Sequence, residues 1–267
     1  MKLNVPDFSL KHTLDSGQFF RFEFDGKKYQ LAERDTFLTI SQQGDGLEFS
    51  GASEEYVRKL FGLEENYTTI IATLRRDKTL IPALEAYHGM RIMQRDLWET
   101  IVSFQCSIMS NIKKIKLNMN SLAREFGTDV DGNFVFPAPG AIDDLERIRQ
   151  CATGFRAKYI LAANSIVNDK WLARLRKMKY ADAHATLMEI PGIAEKVADC
   201  VCLFSLSHFE AFPVDVWIER IMEQKYFGGK KTKHKDIRAF ALKRWGPLAG
   251  YAQQFLYHHA RHQTRTN

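Results

Sequence analysis

Two hydrophobic periods divide this 267-residue chain. In the first 50 residues apolar and polar positions alternate: Phe20, Phe22 and Phe24 are separated by Arg21 and Glu23. Asp25-Gly26 then offers a tight turn, and Lys28 to Ala32 returns. Alternation puts successive side chains on opposite faces of a strand, and Asp-Gly supplies the positive φ that a two-residue hairpin needs. Thr36 to Gln42 and Leu47 to Ser50 continue the pattern around Gly44-Asp45-Gly46. An antiparallel sheet is predicted.

From Ser53 the period becomes helical. Ser53 before Glu54 and Glu55 reads as a capped helix start with acids at the positive end of the dipole, and Tyr56, Leu60 and Phe61 form its apolar stripe. The spacing predicts helices near 66–76, 80–88, 94–107, 109–126, 142–150, 155–168, 179–189, 195–206, 215–226, 233–244 and 247–262. Val130 to Phe136, followed by Pro137 and Pro139, reads as a short extended piece or a loop. The fold class is α+β, with an antiparallel sheet domain over 1–87 and a mainly helical region over 88–267.

Composition narrows the function. The chain is 45% hydrophobic and 12% aromatic, enough for a packed core. Its net charge of +6 and pI near 9.0 suit a polyanionic partner, although a merely basic enzyme reads the same way. The four cysteines, Cys106, Cys151, Cys200 and Cys202, form no C-x-x-C pair, so neither a zinc site nor a disulfide framework is expected, and a reducing compartment is. The amino terminus lacks the apolar run of a secretory signal, and no apolar stretch reaches the roughly 18 residues of a membrane span. The expectation is an intracellular monomer, in the cytoplasm or nucleoid of a prokaryote or the nucleus of a eukaryote, with no membrane contact.

The chemistry concentrates in Leu187 to Cys200. A helix runs into Ile190, Pro191-Gly192 breaks it, and a second helix restarts at once. Ile190 and Ile193 can pin the turn into the core, while the small Gly192 and Ala194 let another backbone approach. Backbone N–H groups at the new helix start can meet a phosphate oxygen, or the turn can hold a bridging cation at Ile190 and Ile193. The same turn also serves as a plain αα connection. Lys196 lies in the first turn of the second helix, where the positive dipole end and partial desolvation by Val197, Ala198, Cys200, Val201, Cys202, Leu203 and Phe204 both push its pKa down. A neutral amine is what a Schiff-base nucleophile requires; a lysine snorkelling past a core helix is the other reading. Asp215, nineteen residues on, follows Phe212-Pro213-Val214 and stands as the N-cap of a helix over Val216–Gln224. It is either a simple cap or an ionised acid able to stabilise a cationic sugar.

These residues resemble the signature of the 8-oxoguanine DNA glycosylases of the helix-hairpin-helix superfamily. The signature L-P-G-V-G-x-K-V-A-D-C and V-P-V-D-V reads here as Ile190 to Cys200 and Phe212 to Val216. Further similarity lies at Ser16 to Phe22, at Ser103 to Ser107 with Asn111-Ile112, at Gly154 to Tyr159, and at Trp245 to Gln253. The resemblance implies a sheet domain before two helical subdomains that flank an active-site cleft. It implies that Lys196 attacks C1′ of a flipped nucleotide in duplex DNA, that Asp215 steadies the positive charge, and that β-elimination then cuts the abasic strand without a cofactor. It assigns base recognition to Gly17, Cys200, Gln253, Tyr257 and Phe104. DNA contacts fall to Met109, Asn111, Phe155, Arg156, Gly192, Ala194 and Trp217, with Phe155 as the wedge that fills the gap left by the extruded base.

Discrimination has a physical basis. 8-Oxoguanine carries a hydrogen on N7, where guanine has an acceptor, so a carbonyl fixed at that atom bonds the lesion and repels the normal base. By the resemblance that carbonyl belongs to Gly17. The chain departs from the family pattern at Ala194, where a glycine is usual, at Met109 in place of asparagine, at Trp217 in place of histidine and at Ala260 in place of aspartate. These departures imply a looser choice of the base opposite the lesion. The alternatives are a glycosylase of the same superfamily for another damaged purine, a hairpin that only binds DNA, and a nucleoid architectural protein. Cysteines spaced for an iron–sulfur cluster are absent after Cys202.

Overall fold

A computed structural model describes residues 1–263. The chain opens with β1 (Lys2–Asn4), α1 (Leu10–Asp15), β2 (Phe22–Phe24), β3 (Tyr29–Glu33), β4 (Thr36–Gln43) and β5 (Gly46–Ser50). The strands form one antiparallel sheet in the order β1-β5-β4-β3-β2, with Phe22 opposite Leu31 and Tyr29 opposite Ile40. The alternation works as its period requires: Tyr29, Leu31, Leu38, Ile40, Leu47 and Phe49 are buried in a core shared with Phe8, Phe19, Val57, Phe61 and Met93. The sequence reading saw only strands here. Leu10–Asp15 is instead a short helix, started by Ser9, whose hydroxyl accepts from the His12 N–H, and buried through Leu10, Thr13 and Leu14.

The helical part begins with α2 (Glu54–Leu60), α3 (Tyr67–Leu74) and α4 (Ile81–Ala86), then α5 (Leu97–Cys106) and α6 (Ile112–Phe126). The predicted extended piece is a small hairpin, β6 (Asp129–Val130) and β7 (Asn133–Phe134). There follow α7 (Leu145–Ile148), α8 (Ala157–Ile166), α9 (Asp169–Leu175), α10 (Tyr180–Met188), α11 (Glu195–Ser205), α12 (Val216–Tyr226), α13 (His234–Trp245) and α14 (Ala249–Gln263). The pattern missed α9, which Asn168 caps and Leu172 and Leu175 bury. It also began α8 too early, since Gly154–Arg156 is a 3₁₀ turn.

One large core joins the helices, and α5 lies at its centre with every residue from Leu97 to Cys106 buried. Helix α11 packs against α5 and α10, and α14 against α12, α13 and α4. A buried ionic chain ties the sheet to the start of α5. Arg95 pairs with Glu33 at 3.1 Å and Glu99 at 3.5 Å, and Arg21 pairs with Glu99 at 3.5 Å. Burial pushes the Glu33 carboxyl up to about 7. Among the described residues no helix is long and apolar enough to cross a membrane.

Candidate active site

The hairpin is built as its residues dictate. Ile190 and Ile193 are buried, the Ile193 N–H donates to the Ile190 carbonyl at 3.0 Å, and Gly192 takes φ +84°. The small residue at 192 accommodates a ring, a neighbour the sequence did not reveal. A Cβ there would stand 2.4 Å from Cγ of Tyr159 on α8. Gln105, fully buried on α5, donates Nε2 to the carbonyls of Tyr159 at 3.1 Å and Pro191 at 3.3 Å, clamping the turn from beneath. Helix α11 then starts at Ala194, which is exposed and gives no side-chain cap, so the first N–H groups receive no side-chain acceptor. Among the described residues no cluster of His, Cys, Asp or Glu could hold a metal ion.

Lys196 rises from the first turn of α11, ahead of a run in which every residue from Val197 to Phe204 is buried. Its Nζ donates to Oγ of Ser107 at 3.2 Å and lies 5.3 Å from the Phe104 ring centroid. Ser107 in turn donates its hydroxyl to the Phe104 carbonyl at 2.6 Å, which fixes its oxygen as the acceptor for the amine. Ser107 is also the C-cap of α5. The amine therefore meets the positive end of its own helix and the negative end of another. The sequence reading had counted only the first of these dipoles. Phe104 is held edge-on by Phe20 and stacked on Phe204.

Asp215 caps α12 as its position predicts: Oδ1 accepts from the N–H of Trp217 at 3.0 Å and of Ile218 at 2.9 Å. Its carboxyl nevertheless lies above the ordinary carboxylate value, because burial outweighs the cap bonds and the nearby Lys196 charge, which favour ionisation. The sequence reading had it simply ionised. Cys200, one turn after Lys196, is buried, and its thiol is pushed up to about 12 by burial against the pull of Lys196. Gln253 is buried on α14 with Nε2 on the Pro213 carbonyl at 3.1 Å, while its Oε1 has no partner among the described residues. Tyr257 lies beside Gly17, where a Cβ would come within 3.3 Å of its ring and hydroxyl.

The remaining candidates separate by exposure. Phe155 projects from the 3₁₀ turn 48% exposed, and Met109 is 89% exposed with φ +46°. Asn111 is exposed but caps α6 through the Lys114 N–H. Trp217 is half-buried with the Arg220 guanidinium 5.9 Å from its ring. Arg156 is a correction: it is buried, and its guanidinium donates to the carbonyls of Ile108, Thr153 and Met109. It shapes the loop that carries Met109 and has little surface for a phosphate. Sequence reasoning missed Ser107 and Gln105. Both lie in the stretch Ser103–Ser107 that it quoted, but only the fold brings them to the hairpin.

Known proteins are similar to this chain in sequence and fold. The family model for the 8-oxoguanine DNA glycosylase N-terminal domain matches residues 1–101. A probable N-glycosylase/DNA lyase of Methanothermobacter thermautotrophicus is 31% identical over 235 residues, 78% of this chain and 73% of its own. The solved structure of MBOgg1 with a low-affinity DNA ligand is 34% identical, with a TM-score of 0.92 over 98% of this chain and 96% of that one. The 8-oxoguanine glycosylase/lyase of Clostridium acetobutylicum, solved with double-stranded DNA containing cytosine opposite 8-oxoguanine, is 27% identical with a TM-score of 0.90 over 99% and 98%. These likenesses make this a DNA-binding N-glycosylase/DNA lyase, and the chain belongs to the 8-oxoguanine DNA glycosylase family of the helix-hairpin-helix superfamily.

Proposed function

We propose that a monomer of this chain excises 8-oxoguanine from duplex DNA with Lys196 as the nucleophile and then cuts the strand at the abasic site. The neutral amine attacks C1′, the C1′–N9 bond breaks, and the base leaves with a proton. The C1′–O4′ bond then opens, O4′ taking up the nitrogen's remaining proton, as the C1′=N imine forms. Loss of a C2′ proton then expels the 3′ phosphate, and water releases the lysine. Asp215, fixed by its two cap bonds, supplies negative charge where the sugar becomes cationic. The observation that carries this reading is the placement of Lys196 Nζ, held on the Ser107 hydroxyl at 3.2 Å and 5.3 Å from the Phe104 ring centroid.

Gly17, Phe104, Cys200, Gln253 and Tyr257 would hold the extruded base. Phe155 would fill its place in the stack, an exposed ring 6.3 Å from Tyr159, the α8 ring on which the hairpin packs, supporting that role. Met109, Asn111, Gly192, Ala194 and Trp217 would meet the DNA, and the backbone at Ile190 and Ile193 would hold any bridging cation. The same reading divides the chain into a sheet domain over 1–87 and a helical region over 88–267 in two subdomains, with action in the nucleus or nucleoid. Single-turnover incubation with duplexes carrying 8-oxoguanine or guanine at one position tests it. Free 8-oxoguanine and a cut strand should appear only from the first; release of guanine at a similar rate would refute it.

A further inference from the structure

The turn at the end of α1 is pinned by side chains from distant elements, and the pinning is selective. The Asp15 carbonyl accepts from Nη2 of Arg261 at 2.7 Å. The Ser16 carbonyl accepts from Nε2 of Gln254 at 2.8 Å, and the Gln18 carbonyl from Nη1 of Arg95 at 3.2 Å. Of these four consecutive carbonyls only that of Gly17 accepts no hydrogen bond among the described residues. Gly17 itself takes φ +82°, a conformation that turns its peptide against the run of the chain.

Gln18 is the centre of the arrangement. It is fully buried. Its Nε2 donates to Oγ of Ser16 at 2.8 Å and to the Arg91 carbonyl at 2.7 Å, with the Thr13 carbonyl at 3.4 Å. Its Oε1 accepts from the Met93 N–H at 2.8 Å. One side chain thus fixes the residue before Gly17 and the strand of backbone behind it. Arg95, which holds the carbonyl after Gly17, is itself fixed by Glu33 and Glu99 and lies over the Phe19 ring at 4.4 Å. Rotating the Gly17 peptide would require breaking several of these buried bonds at once.

We propose that Gln18 is a positioning residue for lesion recognition: through Ser16 and the Arg91–Met93 backbone it locks the Gly17 peptide so that its carbonyl stays turned to the base pocket. This rests on the reading of Gly17 as the acceptor for the N7 hydrogen. A carbonyl free to rotate would lose the repulsion of guanine's N7 as well as the bond to the lesion, so the two bases would be treated more alike. Strand cleavage at an existing abasic site has no base to recognise and does not pass through Gly17.

The test compares Gln18→Met and the milder Ser16→Ala, which removes the hydroxyl that Gln18 grips, with wild type. Excision of 8-oxoguanine and cleavage of a preformed abasic site are measured in single turnover, alongside competition between 8-oxoguanine and guanine duplexes for binding. In whichever variant stays folded, excision should fall about tenfold or more and the binding preference should narrow, with abasic-site cleavage within about threefold of wild type. Unchanged excision and preference in folded Gln18→Met, or equal loss of both activities in both variants, would overturn the proposal. Wild-type enzyme is also given an 8-oxoguanine analogue with carbon in place of N7. Full excision of that analogue would remove the Gly17 reading itself, independently of Gln18.

Discussion

Replacing Gly192 by alanine perturbs the hairpin at its narrowest point, and the cost has two separable parts. The first is torsional: φ of +84° is a backbone conformation that an L side chain enters at about 1–2 kcal/mol. The second is steric, because the new methyl would stand 2.4 Å from Cγ and 2.8 Å from Cβ and Cδ1 of Tyr159. Rotation about Cα–Cβ moves Cγ and Cδ1, but Cβ cannot retreat without moving α8, and overpacking of this kind costs about 1–3 kcal/mol. The sum of about 2–5 kcal/mol corresponds to a fall in Tm of about 5–15 °C for a chain of this size. Thermal unfolding followed by circular dichroism reads it, and a double-mutant cycle with Tyr159→Ala separates the parts. Loss of Cγ and Cδ1 should relieve part of the steric cost in the Gly192→Ala/Tyr159→Ala protein, giving a favourable coupling of about 1–2 kcal/mol, while the Cβ contact and the torsional part stay. A Gly192→Ala protein that melts within a degree of wild type, or a cycle without coupling, would refute this view of the turn.

Three further outcomes follow from the geometry. Asp215→Asn keeps an oxygen to cap α12 and so should fold normally, yet excise about a hundredfold more slowly for want of the negative charge; single-turnover kinetics at wild-type rate would exclude the electrostatic role. Glu33, raised from 4.5 to about 7 by burial, holds a proton that the unfolded chain releases, so its contribution to stability is full below about pH 4.5 and lost as pH rises through about 7, worth about 3 kcal/mol at most. Melting curves of wild type and Glu33→Gln should therefore favour wild type more at pH 5 than at pH 8, and parallel curves would be inconsistent with a buried, protonated Glu33. Exposed Met109, half-buried Trp217 and uncapped Ala194 should relax the choice of base opposite the lesion. Cleavage rates on duplexes with each of the four bases there check this, and a strong preference for cytosine alone would contradict it.

Much of this site was legible because its residues lie close along the chain. Lys196, Cys200 and Asp215 lie at or within two successive helices whose starts are fixed by Pro191-Gly192 and Pro213. What escaped depends on distance. Ser107 reaches Lys196 across 89 residues, and Gln105 reaches Pro191 across 86, so no local pattern joins them. The resemblance assigns Arg156 to the DNA, but burial beside three carbonyls satisfies it internally. Helix α1 was hidden by the strand-like composition around it, although Ser9 followed by His12 is a cap spacing. The acid Asp199 went unremarked inside the signature. It is buried against α10 and α13, accepting from the Tyr180 hydroxyl at 2.6 Å, with Arg238 at 3.7 Å and its carboxyl pushed up to about 6.

The covalent step is the most direct point of attack. Wild-type protein and Lys196→Gln are incubated with 8-oxoguanine duplex and sodium borohydride, and the linked peptide is sequenced by mass spectrometry. One reduced adduct on Lys196 should form with wild type and none with Lys196→Gln. No adduct from wild type, or an equal adduct from Lys196→Gln, would mean that the amine held by Ser107 is not the nucleophile.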